Sequence, residues 1–423
     1  MINDNNIFLS SSTELTRIDV QELKVGMYVS KLDRPWLETS FLFQGFELKN
    51  AAEIKEVQAQ CDFVYIDTLK QKKDTRLKQK NTVFSKGWLE GRETPVQKIN
   101  FNAEFEYAES VYHETTSLVK SFMQEIALGR ALNAEIAKKA VAQCVQSVIN
   151  SPDALMWMTQ LKNKDEYTSQ HSMNVCVFAI ALGRHINLSE PELEELGLCG
   201  MMHDMGKIKI PLEILNKPGL FDPEERKVMK THTALGWKLL MASSGMSGCA
   251  IDAAYGHHER LDGKGYPRGL TEECIHPYTR IVTITDMYDA IVSNRVYRKG
   301  RTHLEAIKLL IEYSGTQLDS ALVIKFIECL GIYPTGSIVE LTNGEVAIVV
   351  EVNQAKKLKP KIIILLNKKK IRVEAYPIDL AKTDTDKTGE KYRIKRIARA
   401  EEYDLDTNLL YKMGMINNKL AIS

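Results

Sequence analysis

The sequence predicts a multidomain protein with an all-α helical core, a small α/β or β-rich N-terminal domain and a short β-rich C-terminal tail. Three observations predict it. Apolar residues recur at helix spacing over much of residues 102–330, strand-like runs flank that stretch on both sides, and a polar, lysine-rich segment separates the first of those runs from the helices. A chain of 423 residues suggests two to three domains, and 44% hydrophobic residues is enough to fill well-formed cores.

In order, residues 1–68 contain VGMYVSKL and DFVYIDT, which read as strands, with NAAEIKEVQAQ as a short helix between them. This is expected to be an accessory or regulatory domain. Residues 69–101 include KQKKDTRLKQK and lack a steady apolar period, so they read as a polar basic linker. A nucleic-acid patch is the weaker reading, because aromatic residues are sparse there and the whole chain carries a net charge of only +1. Residues 102–160 show helical periodicity with few breakers and read as a helical connector, with Pro152 after Ser151 marking a helix start. Residues 161–330 form the core proper. Residues 331–423 change character: GSIVELTNGEVAIVVEVN reads as two strands about a two-residue Asn343-Gly344 turn, and KIIILL as a third.

Composition excludes several classes. Near-neutral charge gives no argument for a nucleic-acid polymer or a membrane surface as partner. No run of about 18 apolar residues occurs, and the N-terminus lacks the apolar centre of a signal peptide. The seven cysteines are scattered without a CxxC pair, as free thiols are in a reducing cytoplasm.

Chemistry concentrates between His171 and Asp286. The landmarks are His171, the pair His203-Asp204, His232, the pair His257-His258, and Asp286, which together hold five of the chain's nine histidines. His171 shares a helical stripe with Val175, Phe178 and Leu182, and His232 shares one with Val228, Leu235 and Leu239, so both imidazoles are expected to face inward. Asp222, Pro223, Glu224 and Glu225 form a strong helix start ahead of His232. In MMHDMGKIKIP, Lys207 follows Asp204 by three residues, which puts a cation on the face of the HD pair, and Asp286 and Asp289 lie one turn apart.

Taken singly, a buried histidine is more often a hydrogen-bonded core residue than a ligand, and Asp286 alone would be a capped or salt-bridged carboxylate. Taken together, five imidazoles and two carboxylates leave many polar groups to satisfy, and a divalent cation answers them all. Imidazole and carboxylate without thiolate suit iron or manganese better than a structural zinc.

The order H, HD, H, HH, D, followed by HHERLDGKGYPRGL with Gly265-Tyr266-Pro267, resembles the HD-GYP subfamily of the HD-domain metal-dependent phosphohydrolases. The likeness runs from about Leu161 to Leu330. It implies an HD-type catalytic core, two divalent ions and hydrolysis of the bacterial second messenger cyclic di-GMP to the linear dinucleotide pGpG, and onward in some members to GMP. It further implies Asp204 as the bridging ligand and catalytic residue, with His171, His203 and Asp286 on one ion and His232, His257 and His258 on the other. Lys207, Tyr266, Arg295 and Arg298 match the family's substrate contacts, and Lys207 doubles as a catalytic residue. Some members place a carboxylate ligand for a third ion one turn before the first histidine; here that position is Tyr167. Residues 16–68 resemble the domain of unassigned function that often precedes HD-GYP domains, and a similar small β-tail often follows the core. The expected partner is cyclic di-GMP; the resemblance leaves a homodimer open. Two other readings remain: a catalytically idle receptor for the nucleotide, which the intact ligand set opposes, and a hydrolase of another nucleotide or cyclic dinucleotide, which the intact GYP run opposes.

Overall fold

The computed structural model describes residues 15–34, 46–48, 50–67, 101–130, 132–160, 167–293, 300–353, 356–383, 385, 389 and 391–406. Most of the expected basic linker lies outside these residues, as do Arg295 and Arg298. The chain divides into two compact units, residues 1–82 and 83–423.

In the first unit β1 (Leu15–Asp19), β2 (Tyr28–Leu32), β3 (Phe46–Glu47) and β4 (Phe63–Asp67) form an antiparallel sheet of order β1-β4-β2-β3. Helix α1 (Ala51–Gln60) starts where the Asn50 side chain accepts the Glu53 backbone N–H. Val29, Leu32, Leu48, Val57, Val64 and Ile66 are buried together beneath it. The two strands and the helix read from sequence are present; β1 and β3 are additional.

The second unit is mostly helical. Helix α2 (Phe101–Ala127) leads, followed by α3 (Ala134–Asn150), capped by Asn133, and α4 (Pro152–Met158), which starts at Pro152 as its sequence predicts. Helices α5 (Tyr167–His185) and α6 (Glu190–Met202) form the centre. Helix α6 begins in a Ser189–Glu192 capping box and ends on His203. A 3₁₀ turn (Met205–Lys209) follows, then α7 (Leu212–Leu215), α8 (Pro223–Lys230), α9 (His232–Met241), α10 (Gly248–Gly256), α11 (Pro277–Val292), α12 (His303–Tyr313) and α13 (Ser320–Leu330).

Three aromatic rings tie α5, α11 and α13 below the site: Phe178 lies edge-on to Tyr288 at 5.2 Å between centroids, and Tyr288 to Phe326 at 5.3 Å. All three are buried, so the helices that carry His171 and Asp286 are held at a fixed separation. No helix among the described residues is long and apolar enough to cross a membrane.

The stripe expected around His232 differs in one respect. The chain breaks at Thr231 between α8 and α9, and the buried face of α9 is His232, Thr233, Gly236 and Leu240, not Val228, Leu235 and Leu239. Close backbone packing explains the choice. A Cβ at Gly206 would collide with the His232 carbonyl and with Gly236, so the turn after the HD pair lies directly on α9 along a line that only glycines permit.

Five strands close the chain: β5 (Ile338–Leu341), β6 (Val346–Glu351), β7 (Lys361–Leu366), β8 (Arg372–Asp379) and β9 (Ile394–Ala398), in antiparallel order β8-β7-β6-β5-β9. The β5–β6 turn is one residue longer than the Asn-Gly pair suggests. Gly344 N–H donates to Leu341 O, Leu341 N–H donates to Glu345 O, and Gly344 sits at φ +87°. That is a type I turn closed by a left-handed glycine. Strands β8 and β9 were not read from sequence. β8 is an edge strand, which is why it tolerates Pro377.

Candidate metal centre

Each of the seven candidate ligands comes from a helix, a helix end or the turn beside one, and the structure brings all seven to one place. His171 projects from the second turn of α5, His203 caps α6, Asp204 opens the 3₁₀ turn, His232 begins α9, His257 caps α10 with His258 next to it, and Asp286 lies in the third turn of α11. Their potential ligand atoms form three overlapping sets, His171/His203/Asp286, His203/Asp204/His257 and His232/His257/His258, with the atoms of each set within 4.8 Å of one another.

Hydrogen bonding on the far side of the rings fixes which nitrogen is free. Nδ1 of His203 lies 2.7 Å from Gly200 O, Nδ1 of His232 lies 2.7 Å from Met229 O, and Nδ1 of His257 lies 3.0 Å from Ala253 O. A carbonyl oxygen only accepts, so Nδ1 carries the proton in each ring and Nε2 presents a lone pair. The Asp289 carboxylate does the same for His171, accepting its Nδ1–H at 2.7 Å. The Nε2 lone pairs all converge on Asp204 and Asp286. His171 Nε2 is 3.0 Å from Asp286 Oδ1 and 3.5 Å from Asp204 Oδ2, and His203 Nε2 is 3.2 Å from Asp204 Oδ2. Asp204 Oδ1 faces the other side, 3.5 Å from His232 Nε2 and 3.6 Å from His257 Nε2. The two oxygens of Asp204 therefore point toward different histidine sets.

A cation fits these donors. His203 Nε2 and Asp204 Oδ1 are buried and have no hydrogen-bond partner among the described residues, a costly arrangement for a polar atom unless something else satisfies it. His232 Nε2 and His257 Nε2 approach to 3.3 Å, both as acceptors, which is repulsive without a positive charge between or beside them. The electrostatics agree. Burial pushes the His232 imidazole down to about 3, so the ring is neutral, as a ligand must be. Burial works to raise the Asp204 carboxyl, but the Lys207 ammonium beside it outweighs that and holds it well below the usual range, so it stays ionised.

Lys207 sits in the 3₁₀ turn rather than on a regular helix and pairs directly with Asp204 Oδ2. Tyr266 stacks on His258 with ring centroids 4.8 Å apart, and the Tyr266–Pro267 peptide bond is cis. The ammonium of Lys230 lies 4.8 Å from the centre of the Tyr266 ring. Tyr266, His258 and Lys230 open onto a cleft of about 510 Å³ whose lining also includes Arg260, Lys264, Asp286 and Gln317.

Sequence reasoning missed two supporting residues. Glu259, buried, accepts the backbone N–H groups of Arg268 at 2.7 Å and Leu270 at 3.0 Å, and so anchors the GYP loop. A Cβ at Gly265 would fall 2.5 Å from Glu259 Cα, which explains the glycine. Asp289, noted only for its spacing from Asp286, orients His171. The position of Glu259 directly after the histidine pair was the one available signal for its role.

The comparisons with known proteins bear on the same segments. The family model described as "HD domain" matches residues 155–322, a "Domain of unknown function" model matches residues 15–137, and a "KOW domain associated with HD domain" model matches residues 338–387. The chain is 32% identical over 396 residues to the cyclic di-GMP phosphodiesterase PA4108 of Pseudomonas aeruginosa, covering 92% of this chain and 94% of that protein. Two further relatives match over shorter spans. A cyclic di-GMP phosphodiesterase of Thermotoga maritima is 36% identical over 39% of this chain and 45% of its own length. The 3'3'-cGAMP-specific phosphodiesterase 3 of Vibrio cholerae is 34% identical over 37% of this chain and 34% of its own length. With 32% identity over nearly the full length, a carboxylate whose two oxygens face different histidine sets and a GYP loop stacked on one of them, the chain belongs to the HD-domain family, in its HD-GYP branch.

Proposed function

We propose that the protein is a metal-dependent phosphodiesterase that hydrolyses cyclic di-GMP to linear pGpG. One observation carries the reading: two carboxylates and five imidazoles converge at one place, four of the rings with Nε2 freed by a hydrogen bond behind them, and His257, His258 and Asp286 open from it onto a cleft that Tyr266 also lines, while Lys207 pairs with Asp204. The near full-length relative named as a cyclic di-GMP phosphodiesterase supports the substrate.

His171, His203, Asp204 and Asp286 would hold one ion and Asp204, His232, His257 and His258 a second, with iron or manganese favoured by the mixed nitrogen and oxygen donors. Such a pair supplies an activated water and neutralises charge on the phosphodiester. The chain's own residues do the rest. Lys207, half-buried beside Asp204, is placed to meet a phosphate oxygen or to protonate the departing 3' oxygen. Burial pushes the Tyr266 phenol up, so it remains a hydrogen-bond donor toward bound substrate. Lys230 and Lys264 line the cleft and offer positive charge to the second phosphate of a cyclic dinucleotide. Arg295 and Arg298, outside the described residues, are proposed to reach the same phosphate or the guanines. A volume of about 510 Å³ falls within the range of about 300–1,000 Å³ usual for small-ligand clefts.

The test is a time course with metal-loaded protein, cyclic di-GMP and 3'3'-cGAMP in parallel. Conversion of cyclic di-GMP to pGpG, faster than any loss of cGAMP, is expected. Intact cyclic di-GMP alongside a protein that holds its metal would overturn the substrate, and faster cleavage of cGAMP would reassign it.

A further inference from the structure

The chain of hydrogen bonds behind His171 does not end at Asp289. Asn174 Nδ2 donates to Asp289 Oδ1 at 2.9 Å, and the Tyr112 hydroxyl donates to Asn174 Oδ1 at 2.7 Å. Tyr112, Asn174, Asp289 and His171 are all buried, with 1%, 6%, 2% and 4% of their surfaces exposed. Tyr112 belongs to α2, far outside the 155–322 span matched by the HD-domain model and within the 15–137 span matched by the other. We propose that Tyr112 is a positioning residue for the metal ligand His171, acting through Asn174 and Asp289.

Donor and acceptor chemistry gives this chain a single direction. An ionised carboxylate only accepts, so both the His171 Nδ1–H and the amide nitrogen of Asn174 must face Asp289. The amide oxygen of Asn174 then faces α2, where it requires a donor, and the Tyr112 phenol is that donor. Burial pushes the phenol up, with the nearby Asp289 charge acting in the same sense, so the proton stays in place. If the hydroxyl is removed, the Asp289 carboxylate still holds the Asn174 amide nitrogen toward itself, and the buried Asn174 oxygen facing α2 loses its donor. Asn174 would then shift to satisfy that oxygen, and its contact with Asp289 would loosen. The proton on His171 Nδ1, and with it the aim of the Nε2 lone pair, would no longer be fixed by a partner held on both sides. Ser293 Oγ also donates to Asp289 Oδ2 at 3.2 Å, but it reaches the oxygen already shared with His171 and cannot replace the Asn174 contact on the other.

Helix α2 is otherwise anchored. Phe105 packs edge-on to Trp157 of α4 at 6.2 Å, and the Ile126 carbonyl of α2 accepts from Lys209 Nζ at 3.0 Å. The phenol is therefore presented by a rigid element, which is what lets a group three hydrogen bonds away register a ligand.

The proposal rests on the metal reading above, and the experiment separates the two. Apo-protein is titrated with Mn²⁺, following free ion by electron paramagnetic resonance, for wild type, Tyr112→Phe, Asp289→Asn, the double variant, and Val119→Ala, which truncates a buried α2 residue outside the hydrogen-bond chain. Loss of an outer-shell partner typically weakens metal binding by about 10–100-fold. Tyr112→Phe should weaken one of two ions by roughly the lower figure, about 10-fold, and leave the other unchanged. The double variant should bind no more weakly than Asp289→Asn alone, because both changes cut the same chain. Unchanged affinity in Tyr112→Phe, additive losses in the double variant, or an equal loss in Val119→Ala would overturn the proposal while leaving the metal reading intact. A wild type that binds no Mn²⁺ at all would overturn both.

Discussion

Two buried histidine environments lie within one helical unit, and they differ in what their nitrogens meet. His303, at the start of α12, is satisfied on both sides: its Nε2–H donates to Gly331 O at 3.0 Å and its Nδ1 accepts from the Tyr288 hydroxyl at 2.9 Å. His203 is likewise buried, yet among the described residues its Nε2 meets no hydrogen-bond partner, and it points at two carboxylates. Burial alone does not separate a structural histidine from a ligand; the difference lies in whether the second nitrogen is answered by the protein. Burial pushes His303 down to about 4 and His232, in the candidate metal centre, down to about 3. Only the second is left with a lone pair that converges on others.

The sharpest break of that contrast is at Asp204, the residue whose two oxygens face different histidine sets. Asp204→Ala should lose both ions, measured by elemental analysis, and reduce cyclic di-GMP hydrolysis by about 10³-fold or more, since the stabilisation removed is several kcal/mol. Normal metal content in this variant would detach the carboxylate from the centre.

Lys207→Ala comes next. Its ammonium pairs with Asp204 but is not itself a ligand, so the variant should keep its metal and lose about 10²–10³-fold in kcat, the size expected for one electrostatic donor to the transition state. A variant that instead sheds its ions would make Lys207 a support for Asp204 rather than a contact for phosphate.

A smaller effect is expected where the cleft wall is held rather than where chemistry occurs. Glu259→Gln turns one of the two oxygens that accept Arg268 N–H and Leu270 N–H into a donor. Losing that bond costs about 1–3 kcal/mol locally. The GYP loop should loosen, so KM should rise about tenfold, one factor of ten per 1.4 kcal/mol, with metal content unchanged. A fall in kcat at constant KM would place Glu259 in the reaction itself.

The smallest effect on catalysis belongs to His303. Its folded state stays unprotonated down to about pH 4, whereas the unfolded chain takes up a proton near its ordinary 6.5. Across that window the unfolded state binds more protons, so this group's contribution to stability is full above pH 6.5 and is lost as pH falls toward 4. At about 1.4 kcal/mol per unit, the whole loss is on the order of 3 kcal/mol. In His303→Gln that component should vanish: the stability gap between variant and wild type, from urea denaturation, should narrow on acidification while activity per folded molecule holds.

Much of this contrast was legible in the sequence, because the candidate ligands sit at positions that local pattern reveals. His171 falls on the apolar stripe of α5, His203 and His257 end helices, and the HHE and GYP residues are contiguous. The helical core and the three strands β5 to β7 followed from periodicity in the same way. What was not legible depends on contacts across long stretches of chain. Tyr112 meets Asn174 across 62 positions and Asn174 meets Asp289 across 115, and no spacing rule encodes such a pairing. The break at Thr231 is set by the backbone approach of Gly206 to α9, again a tertiary demand. Strand β8 shows little apolar signal because only Ala375 and Ile378 of its eight residues are buried and Pro377 interrupts it.

The distinction between answered and unanswered nitrogens is tested most directly by counting bound ions. Wild type, His303→Gln and His232→Ala would be loaded with manganese under the same conditions, desalted and analysed for metal per chain. Two ions are expected in wild type and in His303→Gln, and one in His232→Ala, which removes a donor facing only one oxygen of Asp204. Equal metal in all three, or a loss in His303→Gln as large as in His232→Ala, would contradict it.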